Sequence, residues 1–331
     1  MGKTTMSQRP PRKPQMKAVR VHQFGGLDVM TYEEIPRPTP GPGQVLVRVR
    51  AAGVGPWDAL IRVGASVLPQ PLPLVLGSDI AGDIEAVGAG VSPYRRGDGV
   101  FGVVNARFTG GYAEYAVAEA AMIAPKPERL GYVEAAALPV VASTAWQMVF
   151  DYGGVTAGQR VLVHGAAGNV GAFAVQFAKG AGAEVIGTAY SRGVEYIRSL
   201  GADEVIDTKT TAFEERTGEV DVVIDTIGGD ALERSFEVLK RGGVLVSAVA
   251  RPDQDKAARY GVRAEFLLVA VTSEGLQRIA GMVEAGQLKF RVGEVLPLAQ
   301  ARVAHEMLAG KPHKPGKIVL SVDGPVPTSE P

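Results

Sequence analysis

The sequence predicts an α/β protein in two parts: a doubly wound parallel sheet in its second half, and a β-barrel-like part made from its first half and its end. Three observations carry this. Residues Val161 to Gly171 read VLVHGAAGNVG, an apolar run followed by glycines at Gly165, Gly168 and Gly171, and then the helical-looking stretch AFAVQFAKG. Downstream, EVIGTAY, DEVIDT, DVVIDTIGG, GVLVSAV and AEFLLVAV are Val- and Ile-rich runs without clean alternation, as suits parallel strands buried on both faces. Upstream, runs such as MKAVRVHQFG, QVLVRVRAAGV and RRGDGVFGVV are separated by Gly, Pro and Asp turns at close intervals.

In chain order, residues 1–15 form a Pro-rich basic tail expected to be disordered, and residues 16–138 supply the barrel-like strands. Near Leu138, AAALPVVASTAWQMVF opens a helix leading into a nucleotide-binding part over 139–285. There the apolar runs alternate with amphipathic segments such as VEYIRSL (Val194 to Leu200) and ALERSFEVLKRGG (Ala231 to Gly243). The second of these is expected to close as a helix C-terminus on its basic residues and glycine. Six strands with crossover helices make a Rossmann sheet. Residues 286–323 return to the first part through LKFRVGEVLPL, a short helix AQARVAHEMLAG and GKIVLSV.

Glycines spaced as in the Gly165 loop let a turn close tightly and let the backbone approach a pyrophosphate, whose charge meets the free N–H groups of the following helix. The loop therefore predicts a dinucleotide site halfway along the chain, with the chemistry held elsewhere. Lys plus Arg and Asp plus Glu number 35 each among 331 residues, so no basic field marks a nucleic acid or membrane partner. No apolar stretch is long enough for a membrane span and the N-terminus has no signal-peptide core, which reads as a cytosolic protein. The absence of cysteine excludes disulfides, thiolate nucleophiles and Cys-ligated zinc. The four histidines are scattered, without an HExxH pair. His164, at the end of the first nucleotide-domain strand, is weighed as a catalytic group against a locally hydrogen-bonded strand-end residue.

GVGPWDALIRVG, PLVLGSDIAGDIEAVGAGV, GDGVFGV, GGYAEYAV, GAAGNVGAFAVQFAKGAGAEVIGT, GADEVID and GKIVL, in this order, resemble the medium-chain dehydrogenase/reductase superfamily. More narrowly they resemble its zinc-free quinone oxidoreductase branch, which includes zeta-crystallin and the alkenal/enone reductases. The resemblance covers Met16 to Val322 and implies a GroES-like β-barrel catalytic domain beside the Rossmann domain. It places zinc ligands of metal-dependent relatives where this chain has Gly55, Ser78 and Val140, none of which can replace a Cys or His ligand. No metal site is expected.

The second strand end reads Thr188, Ala189, Tyr190, Ser191, Arg192, without the carboxylate that would hold an NAD ribose. Ser191 and Arg192 are expected to bind a 2′-phosphate, making NADPH the cofactor, with Glu195 as an opposing charge. Without metal, flavin motif or thiolate, hydride from the nicotinamide must reach an acceptor already activated, a quinone or an α,β-unsaturated carbonyl. By resemblance, Ala167, Gly168, Asn169 and Val170 meet the pyrophosphate, while Thr144, Ile227, Val249 and strand residues Phe266 and Leu268 border the nicotinamide half. Ordinary packing is the alternative for these positions, above all for Ile227 and Val249. The substrate pocket is expected at the GVGPWDAL loop, with Gly55, Trp57 and Asp58, and at Phe108. Zeta-crystallin-like members carry Asn at the position of Gly55 and Tyr near Leu60, so their polar contacts do not transfer. Asp58 is weighed as a proton relay against a helix cap.

The resemblance also implies a homodimer joined along AEFLLVAV. Two other classes compete with this reading. A short-chain dehydrogenase needs an early glycine loop and a Tyr-x-x-x-Lys pair, which no tyrosine here supplies. A non-catalytic NADPH-binding protein of the same fold fits the sequence throughout.

Overall fold

The protein was analysed as a computed structural model that describes residues 14–322. Six parallel strands form one sheet in the spatial order Glu204–Asp207, Glu184–Ala189, Arg160–His164, Val220–Asp225, Leu239–Ser247, Arg263–Phe266. The chain starts at the centre, walks outward to one edge, then returns to the other side of Arg160–His164 and walks to the opposite edge. The order therefore reverses between Arg160–His164 and Val220–Asp225, and a crevice opens at the carboxyl ends of these two strands. Both strands are buried nearly throughout, which explains their unbroken apolar character.

The barrel part is a seven-stranded, mostly antiparallel sheet. Lys317–Ser321 pairs antiparallel with Gln44–Val54, so the chain end is stitched to its first half. Gln44–Val54 also pairs with Asp79–Val87 and Tyr115–Glu119. A smaller sheet of Met30–Pro36, Gln15–Val21 and Leu74–Val75 lies beside it. The helix Pro139–Trp146, continued by a wider turn over Gln147–Tyr152, leads from barrel to nucleotide sheet. One apolar core runs across both parts, from Phe101 and Val319 through Leu138 to Phe173 and Phe177.

Four local expectations are corrected. Lys240 to Gly243 do not end a helix; the helix Gly229–Arg234 stops earlier, and these residues lie within the strand Leu239–Ser247. Gly242, at φ +83°, bends the strand where its register with the neighbour shifts. The AEFLLVAV strand ends at Phe266, so Leu268 follows the strand. GVGPWDAL is the start of a helix, Pro56–Arg62, because Pro at the first position and Asp at the third suit a helix start. The tail is shorter than expected, since Gln15 already pairs with Pro36; the rest of the tail lies outside the described residues. Among the described residues no helix is long and apolar enough to cross a membrane.

Candidate active site

The glycine loop occupies the crevice. Gly165 takes φ +69° as the chain leaves the strand, and a side chain at Gly171 would collide with the Gly165 carbonyl, so the turn and the helix can meet only through glycine. The helix Asn169–Gly180 has Gly168 as its N-cap, in extended conformation and with no side chain bonded to its first N–H groups. The amides of Asn169, Val170 and Gly171 thus have no partner within the helix, while Gly168 and Asn169 are exposed. Twelve residues of helix behind these amides direct a positive dipole end at open space. This cradle fits a pyrophosphate. Lys317 and Arg291 share the small cavity in front of it with Ala167, Gly168 and Asn169.

His164 faces away from this space. Ser235 Oγ donates to the Ala231 carbonyl at 2.6 Å, so it must accept from His164 Nε2–H at 3.0 Å. His164 Nδ1 then accepts from Thr188 Oγ1 at 3.1 Å. Burial lowers the imidazole to about 4 against the nearby Asp225 charge, so the ring is a neutral clamp between strands and helix.

Beyond the end of the strand Glu184–Ala189, Tyr190, Ser191 and Arg192 are exposed. Ser191 Oγ donates to Asp207 Oδ2 at 2.5 Å. Asp207 ends the neighbouring strand and pairs in register with Ala189. A carboxylate does therefore stand beside the second strand end, delivered by the third strand. Glu195, the expected opposing charge, is bound to Arg198 at 2.6 Å.

Ile227, Val249 and Leu268, expected to border the nicotinamide half, expose 57%, 51% and 51% of their surface, so core packing does not account for Ile227 and Val249. They are fixed from below: Asp225 Oδ1 accepts from the Ile227 and Gly228 amides at 3.0 and 2.9 Å, and Ser247 Oγ donates to Asp225 Oδ2 at 2.7 Å. Phe266 is half-buried, with Arg251 stacked 4.8 Å from its ring centre. Thr144 is buried, and its hydroxyl donates to the Val140 carbonyl at 2.7 Å.

On the barrel side, Gly55 and Ser78 meet at Trp57, and Val140 is tied to them through Asp79 and Lys317. The indole packs directly on Gly55, where any Cβ would collide with it, and its Nε1–H donates to Ser78 Oγ at 2.9 Å. Lys317 Nζ lies 4.4 Å from the Trp57 ring centre and 3.0 Å from Asp79 Oδ2, while Asp79 Oδ1 accepts from the Val140 amide at 3.1 Å. Gly55, Ser78 and Val140 are thus linked through an indole and a buried ion pair. Gly55→Ala, made in a Trp146→Phe background so that Trp57 is the sole indole, is expected to displace the ring. The readouts are a shift in its emission and a stability loss of about 1–3 kcal/mol in chemical denaturation. An unchanged spectrum and midpoint would contradict this packing.

Asp58 is fully buried. Its Oδ2 accepts from the Gly55 amide at 2.9 Å and from the Tyr112 hydroxyl at 2.8 Å. With no exposed atom it anchors the helix start that carries Trp57, and the expected substrate contact at Asp58 is corrected accordingly. Phe108 is half-buried and holds φ +61°, an unusual conformation for a bulky side chain, in a turn whose Asn105 donates to the Thr109 carbonyl at 2.7 Å. Sequence reasoning missed the Asp79–Lys317 pair, Tyr112 and Asp207. Their signals were present in GSD, GKIVL, GGY and GADEVID, but nothing local says which of these residues meet.

A phosphate-ready helix start at a sheet switch point, with an exposed apolar surface beside it and a barrel packed across one core, defines a two-part dinucleotide-dependent oxidoreductase. Residues 41–128 match the alcohol dehydrogenase GroES-like domain, and residues 200–320 match the zinc-binding dehydrogenase family. The mouse quinone oxidoreductase is 36% identical over 324 residues, covering 92% of this chain and 97% of that protein. The structure of the quinone oxidoreductase from Coxiella burnetii superposes with a TM-score of 0.87 at 33% identity, covering 93% of this chain and 100% of its own. A cobalt- and zinc-bound thermostable alcohol dehydrogenase from Pyrobaculum aerophilum gives 0.82 at 32% identity, covering 93% and 100%. The chain belongs to the medium-chain dehydrogenase/reductase superfamily, in the quinone oxidoreductase (zeta-crystallin-like) branch. It is an oxidoreductase with the GroES-like and Rossmann arrangement of that family, whose enzymes take a nicotinamide cofactor.

Proposed function

We propose that the protein reduces quinones or α,β-unsaturated carbonyls with NADPH, without a metal. The observation that carries this is the set of contacts at Gly55, Ser78 and Val140: the Trp57 indole lies on Gly55 and is bonded to Ser78, and the Val140 amide is bonded to Asp79, which pairs with Lys317. A glycine, a serine and a valine offer no Cys or His to a metal, and the Ser78 hydroxyl is already bonded to the Trp57 indole. A simple ketone or alcohol, which needs strong stabilisation of its alkoxide, is disfavoured by this donor set. A quinone or an enone delocalises the incoming electron pair itself.

When bound, the reduced nicotinamide supplies the hydride. The chain's own residues hold and shield it. The amides of Asn169, Val170 and Gly171 face the pyrophosphate, with Arg291 lining the same cavity. Ile227, Val249 and Leu268 cover the nicotinamide half and exclude water. Arg192, exposed and in no ion pair among the described residues, faces the 2′-phosphate. Because Asp58 and Tyr112 are enclosed and bonded to each other, the proton for the reduced acceptor comes from solvent. Among the described residues the edge strand Arg263–Phe266 has a strand partner on one side only, which supports pairing with a second copy of the chain.

The test is NADPH oxidation with a panel of quinones, alkenals and vinyl ketones, followed by nicotinamide absorbance before and after chelator treatment. Turnover on at least one acceptor, unaltered by chelator, is expected. Activity lost to chelator and restored by zinc would refute the metal-free reading, and tight NADPH binding without oxidation on any acceptor would refute the proposed acceptor class.

A further inference from the structure

We propose that Asp207 sets the cofactor selectivity of this site by opposing Arg192, so that NADH is admitted beside NADPH. The inference rests on the dinucleotide reading above and concerns which dinucleotide is held. Glu184–Ala189 and Glu204–Asp207 are parallel and in register, with Ala189 opposite Asp207, so both strands end at the same height above the crevice. Ser191 is two residues beyond Ala189, and its hydroxyl donates to Asp207 Oδ2 at 2.5 Å. Asp207 Oδ1 accepts from the Lys209 amide at 3.0 Å, which fixes the carboxylate in place.

A serine hydroxyl has one proton. Donated to Asp207, it is withheld from a phosphate at the same place, and an incoming phosphate would also bring a second anion beside the carboxylate. An unphosphorylated ribose meets the opposite situation, because its 2′-hydroxyl can donate to the remaining lone pairs of Asp207. Three further charges bear on the balance. Arg192 attracts a phosphate; Lys209 lies 5.6 Å from the Tyr190 ring centre at the same rim and adds a second cation; Glu195 is engaged by Arg198. Selectivity is therefore the difference between the two cations and one carboxylate.

Asp207→Asn tests this. Asparagine keeps the size and one acceptor, and its NH2 group can donate to the Ser191 oxygen, which frees the serine proton for a phosphate. Binding of NADPH and of NADH to wild type, Asp207→Asn and Arg192→Ala is measured by fluorescence titration at fixed ionic strength, with thermal midpoints to establish that each variant is folded. The ratio of NADH to NADPH dissociation constants is expected to rise roughly tenfold in Asp207→Asn, by tighter NADPH and weaker NADH. In Arg192→Ala the ratio should fall. A ratio within twofold of wild type in folded Asp207→Asn, with NADPH binding otherwise intact, overturns the role of Asp207 and leaves the dinucleotide reading standing. Wild-type protein that binds neither nucleotide overturns that reading, and the selectivity proposal with it.

Discussion

Lys317→Met is expected to destabilise the protein by about 3–5 kcal/mol, because it leaves a buried carboxylate without its cation. Lys317 is 2% exposed and Asp79 not at all, and the pair is made by residues 238 positions apart in the chain. Burial pushes the Asp79 carboxyl above its usual range, and the Lys317 charge, the Lys317 hydrogen bond and the Val140 amide pull it back. Without Lys317 only the Val140 amide remains. The variant should therefore be least stable relative to wild type at neutral pH, with the deficit shrinking as acid neutralises Asp79. Adding Asp79→Asn, which can still accept from the Val140 amide, should recover most of the loss. Denaturant unfolding of wild type, single and double variants at two pH values is the measurement. A double variant as unstable as the single would show that lost packing around Trp57, not an unpaired charge, was responsible.

The second large effect concerns Asp58, whose carboxyl is raised from 3.8 to about 7, first by burial; the Gly55 amide, the Lys317 charge and the Tyr112 hydroxyl act in the opposite direction and Asp79 adds to the rise. The sign follows from proton counting. A folded-state value above the unfolded one means that the folded protein binds the proton more tightly, so this contribution is complete below the unfolded value and is lost as pH rises toward 7. The folded protein should lose on the order of 4 kcal/mol from this group between about pH 4 and pH 7. Asp58→Asn imitates the protonated acid: the amide oxygen takes the bonds from Gly55 and Tyr112, and the NH2 replaces Oδ1, which has no hydrogen-bond partner. The stability difference between variant and wild type should grow in the variant's favour from pH 4.5 to pH 8. A difference that stays flat with pH would mean that Asp58 is already ionised at low pH and that its burial is better compensated than the contacts indicate.

Much of this architecture is legible in the sequence because its causes are local. A strand buried on both faces must be apolar along its length, and a turn that brings a helix onto a strand must use glycine, so EVIGTAY or GAAGNVG needs no partner to be understood. Legibility failed where a local rule met a tertiary one. Basic residues and glycine after ALERSFEVL suggest a helix end, yet pairing with Val220–Asp225 draws Leu239 into the sheet and leaves Gly242 as a bend within the strand. Ile227 and Val249 read as core by hydropathy alone, but their place at the strand ends turns them outward into the crevice.

The sequence by itself determined the two-part fold, the glycine loop at Gly165 and the absence of Cys or His at positions 55, 78 and 140, since each follows from residue types at fixed places in the chain. Only the tertiary structure decided what stands around those three positions and beside Ser191. Trp57, Lys317 and Asp79 meet because Lys317–Ser321 pairs with Gln44–Val54, and Asp207 reaches Ser191 because two parallel strands end in register. Charges and rings act through distance in space, and strand pairing sets that distance in a way that spacing along the chain does not encode.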